Sequence, residues 1–165
     1  MAGLLVEDGV AGVIDRMGHR GKPRVRSQME LDDFEGRWRV ARQIEDRAAG
    51  RSGRFEGVVS FTPDGQGLTC REAGELIFDG LKPMAATRTY LWRAGASGID
   101  VFFEDERPFH SIIAGEGPTA WHWCDPDAYE VVYDFTLWPD WRATWIVRGP
   151  RKDYTMVSDH VRIAP

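Results

Sequence analysis

Two residues that commonly bind metals, His122 and Cys124, stand two positions apart in a tryptophan-rich stretch of the chain. In an extended strand this spacing places both side chains on the same face of the sheet. Imidazole and thiolate groups are ligands of zinc and iron, and His110 or His160 could complete such a site. Because no Cys-x-x-Cys or His-x-x-x-His spacing accompanies the pair, ordinary packing is the stronger interpretation and no metal site is predicted.

Cys124 is also the candidate for nucleophilic catalysis, which would require a base within hydrogen-bonding distance. His122 would lie about 6–7 Å away along the strand, so His110 is the better candidate base. The chain shows no Ser/His/Asp order, no glycine-rich loop followed by a helix and no calcium-binding loop. No catalytic residue is therefore predicted.

A series of short segments with alternating apolar and polar residues positions these side chains. In the first segment Trp38, Val40 and Ile44 share one face. The predicted strands are residues 36–47, 53–62, 68–78, 85–93, 99–104, 109–114, 119–124, 129–138, 141–148 and 154–163. Turn-like connections indicate antiparallel pairing of consecutive strands, and closure would remove the exposed edges of so wide a sheet. The sequence therefore predicts an all-β, antiparallel up-and-down β-barrel of about 8–10 strands, whose interior is filled or holds one small ligand.

The alignment of two predicted strands, residues 129–138 and 141–148, decides which side chains face the barrel interior. A two-residue turn between them would place Trp138 opposite Trp141 and gather the tryptophans of this stretch onto one face. His122, Tyr129 and Tyr133 would share the opposite face, and a single bulge would exchange the two sets. Both faces would be apolar enough to be buried, so a homodimer or a helical cap is expected to cover the outer one.

The region before the first strand has a different pattern. Residues 3–17 carry apolar side chains at helical spacing, which predicts a short N-terminal helix. Residues 18–27 are basic and contain Gly and Pro, which is typical of a linker. The predicted division is a helix and basic linker in residues 1–30 and a barrel domain in residues 31–165.

The composition is that of a globular chain, with 42% hydrophobic and 28% charged residues. A formal net charge of −5 argues against nucleic acid as the partner, because phosphate binding requires a basic face. No apolar run approaches the roughly 20 residues of a membrane-spanning helix, and the start of the chain lacks the basic region of a signal peptide. With only two cysteines, Cys70 and Cys124, a cytoplasmic protein with reduced thiols is expected.

The segment Phe34-Glu35-Gly36-Arg37-Trp38 resembles the F-x-G-x-W signature on the first strand of lipocalins and other calycins. That resemblance implies that Trp38 closes one end of the barrel and that an arginine of the last strand, Arg162, packs across it. By analogy with haem-binding barrels of this shape, His122 or His160 would be the haem ligand. No cofactor is predicted.

Seven further segments carry a closer resemblance that covers residues 33–163. They are GRWRVARQIEDR, E-x-G at Glu72–Gly74, TRTYLWR, RPFH, HWCDPDAY, YDFTLWPDW and GPRKDY. These segments resemble DUF6314, a bacterial domain family of unassigned function. Cys70 stands where that family suggests tyrosine, and Glu106 stands where it suggests glycine. The resemblance implies the barrel fold and no particular activity.

Polar residues inside the matching segments are the candidates for a binding cavity. An arginine among tyrosines would suit a carboxylate or phenolic ligand, because its guanidinium offers a planar pair of N–H donors. The alternative for Glu72 and Arg88 is a structural ion pair between neighbouring strands. The predicted ligand-binding residues are Glu72, Arg88, Tyr90, His110, His122, Tyr129, Tyr133 and Lys152.

The preferred hypothesis is a protein that binds a small, partly apolar molecule in the barrel cavity, with an anion as one option. One alternative is an enzyme that uses His110, His122 and a tyrosine for acid–base chemistry. Another is an interaction module that docks a partner through tryptophans on its outer face. The first two hypotheses require an interior lined by histidine and tyrosine, whereas the third requires exposed tryptophan.

Overall fold

Antiparallel strands make up almost all of the computed structural model, which describes residues 29–113 and 119–164. A single 3₁₀ turn at Leu31–Phe34 precedes the first strand. The ten strands are β1 (Gly36–Asp46), β2 (Arg51–Pro63), β3 (Leu68–Phe78), β4 (Met84–Gly95), β5 (Gly98–Phe103), β6 (Pro108–Ile113), β7 (Thr119–Cys124), β8 (Asp127–Asp134), β9 (Trp141–Gly149) and β10 (Lys152–Arg162). The predicted helix and linker lie outside the described residues.

The ten strands form one sheet in the order β6-β5-β4-β3-β2-β1-β10-β9-β8-β7. Pairing of β1 with β10 joins the beginning and the end of this chain segment. The two outermost strands, β6 and β7, lie side by side but form no ladder among the described residues, so the barrel is nearly closed. The prediction of an all-β, antiparallel up-and-down barrel is confirmed. No helix in the described part of the chain is long and apolar enough to span a bilayer.

Aromatic side chains seal one end of the barrel. Phe34, from the 3₁₀ turn, is fully buried, and its ring centroid lies 5.0 Å from that of Trp92. Trp38 is also fully buried. The Arg162 guanidinium lies 4.1 Å above the Trp38 ring and donates a 2.6 Å hydrogen bond to the Glu35 carbonyl. This end is therefore held by aromatic packing together with a cation–π contact.

The connection between β8 and β9 differs from the predicted two-residue turn. β8 ends at Asp134, and residues 135–140 form a longer loop. Ala143 consequently pairs with Tyr133, whereas a two-residue turn would pair it with Thr136. Because this shift of register is odd, it places the tryptophans of β9 on the same face as the tyrosines of β8. The prediction of separate tryptophan and tyrosine faces was therefore wrong, and the interior contains both.

The outer surface of this wall is less apolar than predicted. Trp121 and Trp123 on β7 are each 65% exposed, whereas the other five tryptophans are buried or half-buried. The outward positions of β9 include the exposed Arg142 and the half-buried Thr144. The outer face of this wall is therefore partly polar, its exposed tryptophans are the pair on β7, and the homodimer stays a prediction.

Gly74 in β3 marks a close approach of two strands. The β2–β3 register is regular, with Gly57 directly opposite Gly74, so no bulge is present. A Cβ atom on Gly74 would lie 2.6 Å from the Gly57 Cα and 2.7 Å from the Phe55 ring. Glycine is required at this pair because an added Cβ would meet a backbone carbonyl of the neighbouring strand, and because the Phe55 ring lies against both glycines. The same ring lies 5.1 Å below the guanidinium of Arg42.

Candidate functional site

The barrel contains a cavity of about 410 Å³. Its base is formed by Phe61, Trp92 and Trp141, which are all buried. Towards the other end, where β3 ends, its wall includes Phe78, and the exposed Arg88 lies on β4 opposite Glu72. The cavity therefore runs from the sealed aromatic end towards an open mouth, and its volume is in the range of small-molecule sites.

Arg42 and Glu72 form an ion pair in the cavity wall. The Arg42 Nη1 and Nη2 groups donate to the two carboxylate oxygens of Glu72 at 2.9 and 2.6 Å, and Nε donates to Ser158 Oγ at 2.7 Å. The two charged side chains are only 19% and 16% exposed. This bidentate geometry is the strong form of an arginine–carboxylate contact, and it neutralises both charges locally.

Arg88 is the second cation of the cavity wall. It is the direct cross-strand neighbour of Glu72, on β4. Glu72 is already bound by Arg42, and Arg88 forms no ion pair with any of the described residues. Asp46, the remaining charged residue of the wall, lies 3.7 Å from Arg51 at the β1–β2 turn. One positive charge of the wall is therefore left without a matching negative charge.

His110 and Tyr133 are joined by a buried hydrogen bond of 2.8 Å between Nε2 and the phenol oxygen. Burial, with a further contribution from His122, lowers the pKa of His110 to about 3. Burial also raises the pKa of Tyr133 well above its usual value. Both rings are therefore neutral at neutral pH, and which ring donates the hydrogen bond is set by the tautomer of His110.

His160 lies flat against Trp141, with ring centroids 3.5 Å apart and ring planes within 3° of each other. Burial, followed by the nearby Arg42 guanidinium, lowers the pKa of His160 to about 3. The Nδ1 atom of His160 and the Nε1 atom of Trp141 have no hydrogen-bond partner among the described residues. The imidazole is thus a neutral part of the cavity wall, because a buried imidazolium would be costly.

Lys152 and His122 lie beside the cavity. Lys152 Nζ lies 2.6 Å from Asp127 and donates a 2.8 Å hydrogen bond to the Tyr129 hydroxyl. The hydrogen bonds to Asp127 and then to Tyr129 raise the pKa of Lys152, which stays charged. The His122 ring packs against Phe109, with centroids 5.0 Å apart. Both residues therefore contact side chains of the cavity wall without lining the cavity themselves.

Six of the eight predicted ligand-binding residues line the cavity: Glu72, Arg88, Tyr90, His110, Tyr129 and Tyr133. His122 and Lys152 only contact residues that line it. Sequence reasoning missed Arg42, although it stands between Val40 and Ile44 on the apolar face of β1. A charged residue at an inward position of an alternating strand was the signal that could have identified it.

The described residues provide no cluster of metal-binding side chains. Among the described residues, no three His, Cys, Asp or Glu side chains are arranged to hold a metal ion. Cys70 is buried and Cys124 is exposed, and neither forms a disulfide. Burial, with a contribution from Glu72, raises the pKa of the Cys70 thiol well above its usual value, so Cys70 is an unreactive part of the cavity wall.

The fold and the cavity define a nearly closed antiparallel β-barrel with a cavity in its interior. Residues 34–162 match the family of unknown function DUF6314, and the chain belongs to this family, as its segments predicted. No curated protein shows significant sequence similarity to the chain.

Two solved structures resemble this barrel. The S-type phycobiliprotein lyase CPES from Guillardia theta has a TM-score of 0.54 and 11% identity, and the match covers 82% of this chain and 91% of the lyase. A protein with unknown function from the DUF3598 family of Nostoc punctiforme PCC 73102 has a TM-score of 0.42 and 12% identity, with 84% of this chain and 51% of that chain covered. At such low identity, the match to the lyase shows a shared fold.

Proposed function

We propose that this protein binds a small, partly apolar anion in the barrel cavity. The observation that carries the proposal is the charge of the cavity wall. Arg42 and Arg88 are opposed there by Glu72 alone, because Asp46 is paired with Arg51. An unmatched guanidinium beside aromatic side chains suits an anionic group attached to an apolar body, since arginine binds carboxylates through a planar pair of N–H donors.

The residues of the cavity wall also determine the orientation that we propose for the bound ligand. The anionic group belongs at the mouth beside Arg88, because the deeper Arg42 is already bound to Glu72. The apolar body extends towards the aromatic base at Trp92 and Trp141. The phycobiliprotein lyase shares only its fold with this chain, so it does not indicate which ligand this chain binds. The proposal therefore depends on the cavity residues.

The two alternative functions have less support. Acid–base catalysis by His110 would require an imidazole that exchanges protons near neutral pH, and burial lowers its pKa to about 3. Partner docking through exposed tryptophans has only Trp121 and Trp123 available. We therefore favour small-molecule binding over both.

Two fluorescent probes with the same arylamine skeleton test the proposal. They are the anion 8-anilinonaphthalene-1-sulfonate and the neutral N-phenyl-1-naphthylamine. We expect both to bind, and we expect Arg88→Met to weaken the sulfonate by about fivefold, the effect of an exposed charge worth about 1 kcal/mol. The neutral probe should be unaffected.

The matched control is Arg71→Met, which removes an exposed arginine from the outward face of β3. This variant has the same net charge as Arg88→Met and should leave the affinity for both probes unchanged. Absence of binding by both probes would refute the proposal. Equal weakening of the two probes by Arg88→Met would also count against it, because it would show a loss of packing instead of a lost charge.

A further inference from the structure

We infer that Glu72 makes the cavity selective for ligands with a single negative charge. The ligand class is then an apolar molecule with one carboxylate or one sulfonate, and dicarboxylates are rejected. This inference rests on the proposed function, and it assigns to Glu72 the role of a specificity-determining residue.

Glu72 occupies the arginine that a second anionic group would need. Its two carboxylate oxygens accept from Nη1 and Nη2 of Arg42, which is the arrangement that a ligand carboxylate would adopt. Ser158 accepts from Nε. Three of the five guanidinium N–H groups are thus used, and the side of Arg42 that recognises a carboxylate is filled by the protein itself.

A second negative charge below the mouth would meet no available cation. The Arg42–Glu72 pair has no net charge and leaves no guanidinium face free for it. The two histidines of the wall, His110 and His160, are neutral. The base beyond them consists of aromatic rings. An anionic group without a partner is costly to bury, so a diacid would have to leave one carboxylate in solvent or remain unbound.

A purely structural role for the Arg42–Glu72 pair makes a different prediction. Such a pair would affect the stability of the barrel, and it would leave the relative affinity for monoanions and dianions unchanged. The ratio of these two affinities is therefore the measurement that separates the two roles of Glu72.

Isothermal titration calorimetry with decanoate and decanedioate, two unbranched chains of equal length, measures this ratio directly. We expect the wild-type protein to bind decanoate at least about tenfold more tightly than decanedioate, given the penalty for an unpaired buried charge. Glu72→Gln frees Arg42 and should reduce this ratio several-fold by strengthening the binding of decanedioate. Glu75→Gln, on the exposed outer face of β3, is the matched control and should keep the wild-type ratio.

The outcomes separate the two proposals. If decanoate fails to bind, the proposed function and the selectivity both fail. If decanoate and decanedioate bind equally well to the wild-type protein, the cavity function stands and the role of Glu72 is wrong. An unchanged ratio in a folded Glu72→Gln variant would also overturn that role.

A second variant protects the test against loss of folding, because breaking a part-buried ion pair can destabilise the barrel. The double substitution Arg42→Met and Glu72→Met removes both charges and keeps Arg88. It should still prefer decanoate to decanedioate by a ratio similar to that of the wild-type protein, because no second cation becomes available. Tight binding of decanedioate by this double variant would contradict the charge argument. Circular dichroism verifies that each variant is folded.

Discussion

Acidification is expected to destabilise this protein well above the pH at which carboxylates titrate. His110 and His160 are buried and neutral in the folded barrel, where the pKa of each is about 3. In the unfolded chain a histidine has an ordinary pKa of about 6.5. Between these two values the unfolded state binds more protons than the folded state, so the free energy of unfolding falls as the pH falls.

The size of the effect follows from the two pKa values. When the pH is lowered from about 7.5 to about 5.0, each histidine favours the unfolded state by about 2 kcal/mol, and the pair by about 4 kcal/mol. Carboxylates contribute little in this interval, because they titrate mostly below about pH 5. This is a large part of the stability of an ordinary domain, about 5–15 kcal/mol.

Urea unfolding at the two pH values, followed by tryptophan fluorescence, measures this loss. His160→Phe keeps an aromatic ring against Trp141 and removes one titrating group, so it should reduce the loss by about 2 kcal/mol. The Nδ1 atom of His160 has no hydrogen-bond partner among the described residues, which makes the substitution mild. A wild-type loss below about 1 kcal/mol, or an unchanged loss in His160→Phe, would refute the reasoning.

Three further outcomes test the fold around the cavity. Arg162→Ala should lower the free energy of unfolding by about 2 kcal/mol, measured in urea, because it removes the contact with Trp38 and a hydrogen bond to a backbone carbonyl. Glu106→Gly should raise the melting temperature slightly, by an amount equivalent to about 1 kcal/mol, because Glu106 has a φ of 65°, which favours glycine. A thiol reagent should modify exposed Cys124 in the native protein and buried Cys70 only after unfolding, as mass spectrometry of the labelled peptides would show. Unchanged stability in the first two variants, or native labelling of Cys70, would contradict these expectations.

The architecture could be predicted because its signals are local. Alternation along each segment and turn sequences between segments indicated ten consecutive antiparallel strands, and ten are present. The glycine that the family pattern suggests at position 106 also has a local cause, since the backbone there adopts a positive φ. The candidate polar residues were chosen because they lie in the segments that resemble the family, and six of the eight line the cavity.

The content of the interior could not be predicted, because it depends on one register. Residues 135–140 contain Pro139, which suggested a tight turn, but the loop spans all six positions. Its length shifts the β8–β9 pairing by an odd number of residues and brings Tyr133 and Trp145 to the same side of the sheet. The alternation of residues within β8 or within β9 does not show how the two strands are aligned with each other.

The charged site of the cavity depends on glycine as much as on arginine. Arg42 on β1 and Glu72 on β3 are separated by β2, so their ion pair has to cross that strand. The inward position of β2 between their levels is Gly57, and a Cβ atom there would meet the Phe55 ring at 2.7 Å. Without that Cβ, Phe55 lies against the strand and supports the Arg42 guanidinium from below. A chain with a net charge of −5 can therefore still have an unmatched positive charge in its cavity wall. Glu72 is bound to Arg42, which lies above Phe55, and Arg88 has no ion-pair partner among the described residues.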